Sequence, residues 1–146
     1  SIERAREEFE KQWKLTEETR RNEFEIYISR MKQLTKLEND ILNSIRELVP
    51  DEVYDHLNIG FPKIRVSDDL QRLNGIHHKY RDNYQMRQLL KLVFAVYRYN
   101  RDLIFNKTPS TTLASRIKHA STCPECGEIA KQVLMHMTIG KVISLP

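Results

Sequence analysis

An all-α fold follows from three features of the sequence. Gly (4) and Pro (5) are scarce among 146 residues. The first 48 residues contain neither, and apolar residues recur at steps of three and four along most of the chain. Forty per cent of the residues are hydrophobic and 30% are charged, a balance that suits helices with one wet face. The expected architecture is a long N-terminal helix, packed on or projecting from a bundle of four to five shorter helices. One domain is expected overall, with residues 1–49 as the arm and 50–146 as the body.

The first helix is expected over residues 2–48. From Phe24 its apolar residues form a coiled-coil-like seam: Phe24, Tyr27, Met31, Leu34, then Ile41, Ile45 and Leu48. Glu38 is the one polar intruder. Upstream, Ile2, Ala5, Phe9 and Trp13 make a thinner stripe, and residues 16–23 are almost wholly polar. The seam suits a partner helix, either of another protein or of a second copy. Packing within the chain would produce the same pattern.

Pro50-Asp51-Glu52 suits the first turn of a second helix, where Pro needs no donor and acids meet the positive helix end. Asn58 to Gly60 is expected to stop it. Phe61–Val66 reads as extended, because Pro62 restricts its predecessor. Ser67 can cap a short helix to Leu73, closed by Asn74-Gly75. Asp82 or Asn83 caps the strongest helix, which runs to about Asn106. Met86, Leu89, Leu90, Val93, Val96, Tyr97, Leu103 and Ile104 cover half its circumference. Thr108-Pro109 opens another helix, with Leu113, Ile117 and Ala120 in line. Cys123-Pro124 opens the last, with Ile129, Val133 and Met137 in line, and Gly140 ends it. Val142–Leu145 reads as an extended tail.

The most specific string is Cys123-Pro124-Glu125-Cys126-Gly127. It resembles the knuckle of zinc ribbons and rubredoxin-like sites, in which two thiolates share one turn. That resemblance implies zinc, which takes four ligands and accepts thiolate and imidazole. One knuckle supplies two. His119, four residues before Cys123, can supply a third. His78 is the expected fourth, with His77, another chain or water as alternatives. His136 ranks lower, because a helix over 124–138 would place it roughly 15 Å along the axis from the knuckle. Cys-Pro-x-Cys at a helix start also resembles the glutaredoxin active site, but no strand precedes it here. Two inert buried thiols would leave the same string.

The net charge of +4 is uneven. Residues 1–50 carry 10 basic and 11 acidic side chains, residues 51–106 carry 9 and 7, and residues 107–146 carry 5 and 2. Arg87, Lys91, Arg98 and Arg101 fall within roughly 80° on the strongest helix, with Tyr80 and Tyr84 nearby. Such a face could meet phosphates or an acidic partner, and a merely solvated face would look alike. No Gly-rich phosphate loop, His-Glu-x-x-His or Gly-x-Ser-x-Gly is present, so no enzyme is expected. The expected function is a structural or assembly module acting through helix pairing, with zinc as a stabiliser. A nucleic-acid-binding module using the basic face is the alternative. No run of apolar residues is long enough to span a membrane. Two cysteines suit a reducing, intracellular compartment, and the opening at Ser1 reads as that of a fragment.

Overall fold

A computed structural model describes residues 1–66, 80–140 and 143–146. Among these the chain is helical and contains no strand. Five α-helices follow in order: α1 Ile2–Ile45, α2 Asp51–Ile64, α3 Tyr84–Ile104, α4 Thr112–Thr122 and α5 Gly127–Ile139. A 3₁₀ turn, Pro124–Cys126, leads into α5. The contacts divide the chain into two compact units, Ser1–Gln33 and Leu34–Pro146. The end of α1 therefore belongs with the second unit.

In the first unit, α1 has no helix breaker. Ser1 Oγ accepts from the Arg4 amide at 3.3 Å, and Glu17 pairs with Arg20 at 3.7 Å one turn on. Every residue from 1 to 27 is exposed, including Phe24 and Tyr27 of the expected seam. Met31 is half-buried.

In the second unit the seam is core. Leu34, Ile41 and Ile45 are fully buried, Leu37 and Leu42 nearly so, and Leu48 is half-buried. Glu38, the polar intruder, is buried too and fully engaged. It accepts 2.7 Å from the Tyr97 hydroxyl and takes both Nε and Nη2 of Arg65, at 3.0 and 2.9 Å. Arg65 Nη2 also reaches Thr35 at 3.1 Å. One carboxylate thus ties α1, α3 and the end of α2 together. Burial, and then the Glu38 bond, push the Tyr97 hydroxyl well above its ordinary pKa, so it stays a donor.

The second helix differs from expectation. It does not stop at Gly60 but runs through Pro62 to Ile64. Proline costs a backbone bond there. The compensation is packing: Phe61 is buried, stacked on Tyr97 at 4.6 Å and edge-on to Phe94 at 5.9 Å, and Ile64 is buried beside them. Pro62 itself is exposed, so its ring displaces nothing in the core. The expected short helix from Ser67 lies outside the described residues.

The third helix is the centre of the body and contacts α4, α5 and the 3₁₀ turn. Asn83 caps it, its side chain accepting from the Met86 amide at 3.1 Å. From Leu89 to Tyr97 almost every side is buried, including Leu92, Phe94 and Ala95, so this segment is covered all round rather than on one face. Leu103, expected in the core, is 40% exposed. Asn106 ends the helix at φ 55°, a left-handed position that Asn tolerates. Asn100 holds the C-terminal tail in both directions: its Oδ1 accepts from the Ser144 amide at 2.7 Å and its Nδ2 donates to the Ser144 carbonyl at 3.2 Å.

Candidate metal centre and basic helix face

The residue before a proline is driven from helical to extended backbone. Cys123 obeys, with φ −84° and ψ 117°, and this ends α4. Its amide still closes the last turn on the His119 carbonyl at 2.9 Å, which keeps Cys123 one turn above His119. Pro124–Cys126 then coils back as a 3₁₀ turn. The result brings one ligand atom each of His119, Cys123 and Cys126 within 4.8 Å of one another. Cys126 is buried, and His119 and Cys123 are half-buried. Among the described residues this group could hold a metal ion, and both cysteines are free thiols.

A fourth side chain joins from α3. The Tyr84 hydroxyl lies 3.1 Å from His119 Nε2 and 3.7 Å from Cys123 Sγ, and the Tyr84 and His119 rings meet edge-on at 6.4 Å. The bond to Cys123 holds that thiol below its usual pKa, while the same bond, with desolvation, pushes Tyr84 up to about 12. Burial first, and the neighbouring Cys123 second, push Cys126 up. The two thiols are therefore unequal, and Cys123 is the one more readily ionised.

Of the expected ligands, Cys123, Cys126 and His119 come together. His78, with His77, lies outside the described residues. His136 is exposed on α5, where it lines an open cavity of about 540 Å³ with Leu48, Met135 and Ile139. The sequence places Tyr84 near the basic residues of α3. Its placement against His119, 35 positions away, has no local signal in the sequence.

The basic face is narrower than its spacing suggests. Arg101 is only 7% exposed and donates to the Ile64 carbonyl at 3.2 Å, where it ties α3 to the end of α2. It also pairs with Asp102 at 3.5 Å. Arg101 is covered because its side chain turns onto the end of α2, although the neighbouring Leu103 is exposed. Arg87 is half-buried, bonds the Arg81 carbonyl at 2.6 Å and lies over the Tyr84 ring at 5.6 Å. Lys91 is half-buried, and its pKa is drawn down by desolvation, then by Arg116 and Arg87. Arg98 is half-buried as well.

No helix among the described residues is long and apolar enough to cross a membrane. Among the described residues the chain is all-α and carries one candidate metal centre. Comparison with family models, with curated proteins and with solved structures gives no match.

Proposed function

We propose that this chain is a non-enzymatic assembly module that pairs its N-terminal helix with a helix of another protein molecule. A zinc ion on His119, Cys123 and Cys126 would pin α4 to α5. The observation that carries the reading is the apolar surface of the first unit. Ile2, Phe9, Trp13, Leu15, Phe24, Ile26 and Tyr27 are each at least half exposed. Five of them, Ile2, Phe9, Trp13, Phe24 and Tyr27, fall within about 60° of one another at 3.6 residues per turn. Scattered surface apolar residues need no explanation, but a row of large ones on one helix face marks an interaction surface. Zinc suits the second feature because thiolate and imidazole are its preferred ligands, and a site that joins two helices contributes directly to folding.

Native extracts give the test. Tagged parent chain should migrate in a larger assembly, and a Phe9→Glu/Phe24→Glu chain should migrate alone with an unchanged body melting temperature. Equal sizes for the two chains would overturn the reading.

A further inference from the structure

We infer that the occupant of this apolar row is a second copy of the same helix, running antiparallel about a two-fold axis between Thr16 and Glu17. The inference rests on the helix-pairing reading above and names its partner.

The row is not uniform. Its aromatic residues sit at the two ends, Phe9 and Trp13 in one group, Phe24 and Tyr27 in the other. Between them the same face carries Thr16, Arg20 and Glu23. A partner must therefore offer aromatic residues at both ends and, in between, meet a cation without setting a like charge against either Arg20 or Glu23.

Two orientations of a second copy can be compared. In parallel register Arg20 meets Arg20 and Glu23 meets Glu23, like charges set level on the contact face. The antiparallel arrangement removes both clashes. Phe9 then lies opposite the second copy's Phe24, Trp13 opposite its Arg20, and Arg6 opposite its Tyr27. The two-fold repeats each pair.

Both arginines would thus meet aromatic rings, a favourable arrangement for a planar guanidinium. The Arg20 site is already shaped. The Phe9 and Trp13 rings are stacked with centroids 6.3 Å apart and 24° between planes. The groove beside them, lined also by Glu10 and Lys14, encloses about 320 Å³. Glu23 would come level with Glu10, but Glu10 points about 140° away from it around the helix. Glu10 instead shares a flank with Arg21, which arrives within one turn of it across the pair. The contact from Arg6 to Tyr27 spans roughly 33 Å of axis, long enough for three pairs on each side of the two-fold.

The test uses the purified full chain with p-benzoylphenylalanine in place of Phe9, made in ordinary and in nitrogen-15 form and mixed. Photo-crosslinks between heavy and light chains should map to residues 20–27 of the other copy. Arg20→Glu should abolish most of them without changing the melting of the body. Crosslinks that join residue 9 to residues 2–13 of the other copy would overturn the antiparallel arrangement, and no heavy-to-light crosslink at all would overturn the second copy as occupant. In either case the extract sizing still decides the helix-pairing reading separately.

Discussion

The two ends of α1 carry the same periodic stripe in opposite surroundings. Read along the sequence at 3.6 residues per turn, Ile2, Phe9, Trp13, Phe24 and Tyr27 keep the same period as Leu34, Ile41 and Ile45. The first group is exposed, and the second is fully buried under the body's other helices. Period thus specifies which face is apolar and leaves open what covers it. The second group is covered by its own chain, and the first is what the proposed pairing would cover.

The sharpest way to break this contrast is to truncate one residue from each group. Ile41→Ala should cost about 2–5 kcal/mol in urea unfolding, because a fully buried aliphatic leaves a cavity. Phe24→Ala should change the stability of dilute protein by no more than about 0.5 kcal/mol. Equal losses would mean that the two groups share one environment.

The buried carboxylate comes next. Glu38→Ala leaves the Tyr97 hydroxyl without its 2.7 Å acceptor and Arg65 without its fork. A loss of about 1–3 kcal/mol in the same assay is expected. A neutral result would show that water or a neighbour replaces Glu38 readily.

Much of the helical frame was legible in the sequence because its punctuation is local. Asn83 and Gly140 mark helix ends where expected, Asn83 through its side-chain cap, while Pro50 stands one position before α2 rather than in its first turn. Pro62 misled because its local preference was overridden by the burial of Phe61 and Ile64, a tertiary effect. Glu38 read as a flaw in a seam because its partners, Arg65 and Tyr97, lie 27 and 59 positions away. The candidate metal group was legible to the extent that it is contiguous: His119, Cys123 and Cys126 span two turns of chain. Tyr84 was not, since only packing of α3 against α4 brings it there. Arg101 was placed on an open face by angle alone, and angle carries no information about which sides of a helix are covered.

The metal centre gives a third contrast, between two histidines near the same knuckle. Protein grown with zinc should carry one metal per chain by elemental analysis. Cys123→Ser and His119→Ala should lose it and melt at a lower temperature, while His136→Ala should keep it. The metal should also leave as pH falls, since protons compete for both thiolates and the imidazole. Metal-free parent protein of unchanged stability would end the zinc assignment.

The smallest expected effect lies beside the basic helix. Arg81→Gln, just before that helix, should shift stability by less than about 0.5 kcal/mol, because its side chain is exposed. Arg101→Gln should cost more, because the Ile64 carbonyl loses its buried donor. Equal effects in thermal melts would contradict the separate placement of these two arginines.

Hydrogen exchange along α1, read by mass spectrometry over a dilution series, tests the central contrast most directly. Amides of residues 34–45 should be protected at every concentration, since the body's own packing covers them. Those of residues 2–27 should exchange quickly in dilute protein and become protected as concentration rises. Exchange in residues 2–27 that is independent of concentration would contradict pairing with a second copy as the fate of the exposed stripe.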